Sequence, residues 1–146
     1  ITEAQLVNLI SVIRDLPINV LKLIFPRNMD LSDQFLAFFS SVLEKRSGIR
    51  FLEIHLLRCK NITDSGLIDL AKALKGLELK YFGIDFEGTS VTKVGFKALE
   101  SALLQQKGLL SLKVRKSLNI SYTEVLAFKE KFNSVPILTV NSQWYF

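Results

Sequence analysis

The residues best suited to chemistry are His55 and Cys59, the only histidine and the only cysteine of the 146-residue chain, four positions apart in EIHLLRCKNITDSGL. A metal site needs three or four ligands, and no second histidine or cysteine exists to complete one. A nucleophilic cysteine needs an accessible thiolate beside a base. His55 stands between Ile54 and Leu56, so strand alternation turns it away from the core, while Cys59 fills a turn. We predict no catalytic residue, no metal and no cofactor. Cys59 is predicted to be structural, and His55 either contacts a partner or is a solvated side chain.

A repeat must position these residues. The phrases ITEAQL, LSDQFL, ITDSGL, VTKVGF and ISYTEV recur along the chain, each with a hydroxyl residue at its second position. These hydroxyl residues are spaced by 30, 31, 29 and 29 positions: Thr2, Ser32, Thr63, Thr92 and Ser121. A Ser or Thr side chain accepts a hydrogen bond from an N–H group that the first helical turn leaves unpaired. Each phrase therefore predicts the start of a helix.

Short alternating segments lie between these helix starts and after the last one, which is typical of half-buried strands. The predicted inward pairs are Leu23 and Phe25, Ile54 and Leu56, Ile84 and Phe86, Leu112 and Val114, and Leu138 and Val140. The unit is strand, turn and helix. One such unit cannot bury its own apolar face, but stacked units share a continuous core.

The second unit carries a recognisable pattern: Phe51-x-x-Ile54-x-Leu56-x-x-Cys59-x-x-Ile62-Thr63-Asp64-x-x-Leu67-x-x-Leu70-Ala71-x-x-Leu74. It resembles the leucine-rich repeat in its cysteine-containing, ribonuclease-inhibitor-like form, and the other units resemble it more loosely. The resemblance implies a curved α/β solenoid of about 29–31 residues per repeat, with parallel strands on the concave face and helices on the convex face. It also implies an inward turn position for Cys59, and the same offset from the cap gives Asn28, Gly88 and Ser117.

The resemblance extends over one domain, residues 1–146. It assigns the helix of a first repeat to 1–17, repeats to 18–48, 49–77, 78–107 and 108–134, and a final strand and tail to 135–146. Since the first unit has only its helix and the last only its strand, we expect a fragment of a longer chain. The tail NSQWYF either covers the last strand or leads into a further unit.

Composition narrows the class of function. Hydrophobic residues make up 49% of the chain, yet no apolar run approaches the roughly 18 residues of a membrane span. No signal peptide is visible, and one cysteine excludes an internal disulfide, which favours an intracellular, cytoplasmic protein. A net charge of +5 and a pI of about 9.4 can mark binding of nucleic acid or an acidic partner. Because the basic residues are spread along the chain, we interpret the charge mainly as a contribution to solubility.

Outward strand residues should form columns across the sheet. One predicted column is Lys22, Glu53, Gly83, Ser111 and Ile137, and the next is Ile24, His55, Asp85, Lys113 and Thr139. The predicted partner-binding residues of the concave face are Arg27, Glu53, His55, Arg58, Asp85, Glu87, Lys113, Arg115 and Lys116. Alternatively, neighbouring opposite charges on this face pair with each other across strands.

Phe35 and Phe38 occupy helix positions that are polar or small in the other units. They either fill space against the adjacent helix or form an apolar patch on the convex side, where such patches mark contacts.

We therefore predict a non-catalytic protein–protein interaction module, an adaptor or scaffold that binds a protein through its concave face. Members of the resembled family mostly bind proteins. The alternatives are a basic nucleic-acid-associated domain, or a regulatory or substrate-receptor domain of a ubiquitin ligase or small-GTPase regulator. The concave face lacks interleaved aromatic residues, which argues against nucleic acid. A membrane or small-molecule partner is not expected.

Overall fold

The computed structural model describes residues 2–25, 30–46 and 48–140. Arg27, Asn28 and the tail NSQWYF lie outside the described residues. Helices alternate with strands: α1 (Glu3–Ile13), β1 (Val20–Ile24), α2 (Asp33–Glu44), β2 (Phe51–His55), α3 (Asp64–Leu74), β3 (Tyr81–Asp85), α4 (Lys93–Leu104), β4 (Ser111–Arg115), α5 (Tyr122–Lys131) and β5 (Ile137–Val140). The predicted alternation of strand and helix is confirmed.

The five described strands form one parallel sheet in the order β1-β2-β3-β4-β5. Crossovers between parallel strands are right-handed as a rule, and since the strand order never reverses, all the connecting helices lie on one face of the sheet. The predicted inward residues meet those helices there. Ile54, Ile84 and Val114 are fully buried in a single apolar core.

All five predicted helix starts are confirmed, with N-cap residues at Thr2, Ser32, Thr63, Thr92 and Ser121. The predicted cap hydrogen bond is present at four of them, whereas the Ser32 hydroxyl donates to Glu3 instead. The first and last described helices begin with capping boxes. Thr2 and Gln5 exchange hydrogen bonds at the start of α1, and Ser121 and Glu124 do so at the start of α5.

At the start of each middle helix, a carboxylate of the preceding helix binds the N-cap residue, which the sequence reasoning missed. Asp64, the first residue of α3, accepts hydrogen bonds from the backbone N–H and hydroxyl of Thr92, at 2.7 and 2.5 Å. It also accepts from the N–H of Gly95 at 2.9 Å. In the same way, Asp33 accepts from the N–H and hydroxyl of Thr63 and from the N–H of Gly66. Glu3 accepts from the N–H and hydroxyl of Ser32. We call Glu3, Asp33 and Asp64 the carboxylate ladder.

The glycines of the ladder make room for the aspartates. A Cβ atom on Gly95 would lie 2.6 Å from Oδ1 of Asp64, and one on Gly66 would lie 2.4 Å from Oδ1 of Asp33. The next rung is missing because Lys93 holds the first position of α4. Helix α5 is joined to α4 by side-chain contacts instead: the rings of Phe96 and Phe128 lie 4.9 Å apart, and Lys131 donates to the buried Glu100 carboxylate at 2.5 Å.

The turns that follow the strands shorten along the chain, which corrects the predicted columns. Ile54, Ile84 and Val114 are cross-strand neighbours, yet they stand 9, 8 and 7 residues before their helix caps. The repeat period suggests a constant turn length, and that assumption places β4 two residues away from its observed register against β3. Leu112 consequently pairs with Phe82 rather than with Ile84.

None of the helices in the described ranges is both long and apolar enough to cross a bilayer.

Candidate functional site

The candidate site is the sheet face opposite the helices, which we call the outer face. In the observed register one row is Lys22, Glu53, Gly83, Lys113 and Thr139, and the next is Ile24, His55, Asp85 and Arg115. Two of the predicted neighbours are therefore wrong. Lys113 stands beside Gly83, and the neighbour of Asp85 is Arg115.

Glu53 is the centre of a polar cluster on β1, β2 and β3. Nε2 of His55 donates to Oε1 of Glu53 at 2.5 Å, and the Tyr81 hydroxyl donates to Oε2 at 2.8 Å. The ammonium group of Lys22 lies 3.3 Å from Oε1. Gly83 gives the cluster its space, because a Cβ atom there would lie 2.9 Å from the Tyr81 hydroxyl oxygen and 3.2 Å from Cγ of Glu53.

These contacts keep Glu53 ionised although it is buried. Burial pushes the pKa of Glu53 upward, but the hydrogen bonds from His55 and Tyr81 and the charge of Lys22 together outweigh it and leave the pKa lowered. Burial and the bond to this carboxylate raise the pKa of Tyr81, so the phenol remains a donor. The ring of Tyr81 is fixed by stacking on Phe51, with ring centroids 4.0 Å apart.

Asp85 forms a second cluster with Arg115 and Glu87. Oδ1 of Asp85 accepts a hydrogen bond from the backbone N–H of Glu87 at 3.1 Å. Oδ2 lies 3.6 Å from Nη1 of Arg115 and, in the described part of the chain, accepts no hydrogen bond. Nε of Arg115 pairs with the carboxylate of Glu87. Burial raises the pKa of Asp85, and the Glu87 N–H and the Arg115 charge offset only part of that rise.

Burial corrects part of the predicted partner-binding set. Glu53, His55 and Asp85 stand at outward strand positions but are only 7%, 1% and 0% exposed. Strands lie only about 5 Å apart, so long side chains on one strand cover those on the next. These three residues are therefore internal supports of the outer face.

Other predicted residues remain at the surface. Arg58 is exposed, and Glu87, Lys113, Arg115 and Lys116 are half-buried. Arg115 pairs with both carboxylates of its cluster, so the alternative of cross-strand charge pairing holds for it. The predicted contact Arg27 lies outside the described residues.

Tyr81 is the member of the site that sequence reasoning missed. Its only signal was the aromatic pair that it forms with Phe51 at equivalent strand positions.

The predicted apolar patch at Phe35 and Phe38 is wrong, and the space-filling alternative describes these residues. Phe35 is 1% exposed, and its ring meets Phe25 edge-on at 5.4 Å and stacks on Phe39 at 6.3 Å. Phe38 is half-buried and packs against the core. The larger side chains fill the space between α2 and its neighbouring elements.

Cys59 is buried in the turn after β2. Its thiol points toward the carbonyl oxygen of Leu57, with Sγ 4.0 Å from that atom, and burial raises the pKa of the thiol to about 11. The backbone N–H of Cys59 donates to Leu56, as that of Thr89 does to Phe86, so Thr89 rather than Gly88 is the equivalent residue. The described residues contain no group of three His, Cys, Asp or Glu side chains that could hold a metal.

The sequence matches no protein-family model and no curated protein sequence. Its fold is similar to a solved structure described as "Leiomodin-1 Actin-Binding Site 2 (ABS2)". The TM-score is 0.64 at 16% sequence identity, over 92% of this chain and 78% of that one. This likeness concerns the fold: a parallel sheet built from alternating strands and helices.

Proposed function

We propose that this chain is a non-catalytic protein–protein interaction module of the cysteine-containing leucine-rich-repeat type, an intracellular adaptor or scaffold. It would bind a protein partner through the outer face of its sheet, which the resemblance makes the concave face. The similar solved structure is described as an actin-binding site, so a protein with this fold binds another protein.

The observation that carries the proposal is that ion pairs hold charged side chains of the outer face in fixed positions. Arg115 is fixed by Asp85 and Glu87 at the ends of the central strands. The Glu53 cluster joins β2 to β3 through the Tyr81 hydrogen bond and β2 to β1 through the Lys22 ion pair. A charged surface that is already ordered loses less conformational entropy on binding, and mixed charge favours specificity.

Charge reversal of Arg58 and Lys113 tests the proposal. Both residues lie on the outer face or the turn beyond it, and the contacts described above for Glu53 and Asp85 involve other side chains. We expect Arg58→Glu/Lys113→Glu to keep the native circular dichroism spectrum and urea midpoint but to lose protein partners that the native chain captures. Lys97→Glu, an exposed change on α4, is the control and should retain them. An unchanged set of partners for the double variant would refute binding through the outer face.

A further inference from the structure

The charge of the chain is concentrated at one edge of the sheet. Since the strands are parallel, the loops that run from each helix to the next strand all meet at the same edge. These loops are 14–19, 45–50, 75–80, 105–110 and 132–136. Together they hold seven Lys and Arg residues and two acidic residues, which leaves a net charge of +5. The rest of the chain has twelve of each sign, so this edge carries the whole net charge.

Backbone hydrogen bonds stack these loops into one continuous surface. The N–H of Arg50 donates to Asn19, that of Lys80 to Arg50, and that of Leu110 to Lys80, each at 2.8 Å. We call loops 14–19, 45–50, 75–80 and 105–110 the basic edge. Two surface concavities of about 310 and 350 Å³ lie on it, each between two consecutive loops.

Helix capping and contacts within the chain account for part of this charge. Arg14, Lys45 and Lys75 are helix C-caps, where a cation favourably meets the negative end of the helix dipole. Arg50 pairs with Glu78, and Arg46 donates to the carbonyl of Arg14. Neither role applies to Lys80 and Lys107, which remain to be explained.

Lys80 and Lys107 are brought together although they have the same charge. Both are exposed and both line the concavity that also contains Leu77 and Gln105. The Lys80 side chain lies over Gly108, where a Cβ atom would be 2.5 Å from Nζ. None of the ion pairs formed by the described residues includes either lysine. Two cations that share one concavity fit an anionic ligand.

We propose that the basic edge is a second docking surface, which binds an extended acidic segment of a partner protein with Asp or Glu side chains at Lys80 and Lys107. This goes beyond binding through the outer face. The edge suits a protein segment better than nucleic acid for two reasons. Glu78, 85% exposed in its side chain, interrupts the positive surface. The exposed apolar neighbours on the edge are Leu16 and Leu110, and the one aromatic residue in the five loops, Phe132, is buried.

A labelled glutamate peptide of about ten residues, long enough to span the stacked loops, is the probe. Its binding to the full chain is followed by fluorescence anisotropy at low ionic strength. We expect saturable binding that weakens with salt, and an affinity at least about five-fold lower for Lys80→Gln/Lys107→Gln. The matched control is Lys97→Gln/Lys129→Gln, which removes two exposed charges from the helices and should bind within about two-fold of the native chain.

Three results would overturn the proposal: no saturable binding to the native chain, equal weakening in the control, or no weakening in the edge variant. Tighter binding of duplex DNA than of the peptide, lost in the same edge variant, would assign the surface to nucleic acid instead. Because Arg58 and Lys113 lie elsewhere, any of these results leaves the test of the outer face unaffected.

Discussion

Two buried carboxylates on the outer face have opposite electrostatic environments. Glu53 has two hydrogen-bond donors and an ammonium group around it, and its pKa is lowered. Asp85 is fully buried with one backbone donor and an arginine at 3.6 Å, and its pKa is raised. Folding therefore favours the ionised form of Glu53 and disfavours that of Asp85.

The two residues should shift stability with pH in opposite directions. The stability that the folded protein gains from the Glu53 carboxylate is fully present above its ordinary pKa of 4.5. This stability is lost as the pH falls through the lower pKa that Glu53 has in the folded protein. The stability that the folded protein gains from protonated Asp85 is fully present below its ordinary pKa of 3.8. This stability is lost as the pH rises through the higher pKa that Asp85 has in the folded protein. Urea unfolding from about pH 7 down to about pH 3 covers both pH windows.

As the pH falls, we expect the stability advantage of the native chain over Glu53→Gln to shrink and its stability relative to Asp85→Asn to improve. Each variant serves as the control for the other. Changes of the same sign in both comparisons would contradict the assigned environments.

At the scale of the element, the start of each middle helix is hydrogen-bonded to a carboxylate of the helix before it. Asp33 and Asp64 satisfy three donors each at the next helix start, including the hydroxyl of the residue that caps it. The spacing of the hydroxyl caps was readable from the sequence because capping is local. The carboxylate ladder was not, since it joins residues 28 to 33 positions apart.

Removal of one rung should destabilise the array. Asp64→Ala leaves the Thr92 and Gly95 donors without their acceptor, and we expect a loss of about 1–3 kcal/mol in the free energy of unfolding. Chemical denaturation measures it. Asp69→Ala, a half-buried change on the same helix, is the control and should cost clearly less. Equal losses in the two variants would show that the rung adds nothing beyond the loss of an acidic residue.

The whole molecule is a stack whose two ends are held differently from its middle. Helices α1 and α5 begin with capping boxes of their own, whereas the N-cap residues of α2, α3 and α4 are bound by a carboxylate of the preceding helix. The strand–helix alternation followed from the sequence because it depends on period and pattern. The register of β4 did not, because turn length varies by single residues that a repeat period averages out. Burial of Glu53 and Asp85 also depends on neighbouring strands and could not be predicted from alternation alone.

This difference predicts where the stack opens first. In a repeat array, the units with the weaker interfaces open first. Helix α5 lacks the rung that Lys93 replaces, so we expect its backbone amides to exchange with solvent at least about ten-fold faster than those of α3 and α4. Hydrogen exchange of the native chain, followed by mass spectrometry, checks this. Equal protection in α3, α4 and α5 would contradict this prediction and mean that the Phe96–Phe128 packing and the Lys131–Glu100 ion pair fully replace the missing rung.

The central claim is that the outer face of the sheet binds a protein. Its most direct test is the Kd of the strongest captured partner, measured by titration for the native chain, Arg58→Glu/Lys113→Glu and the control Lys97→Glu. Our account predicts a Kd at least about ten-fold weaker for the double variant and unchanged for the control. An unchanged Kd for the double variant, with its fold intact, would contradict it.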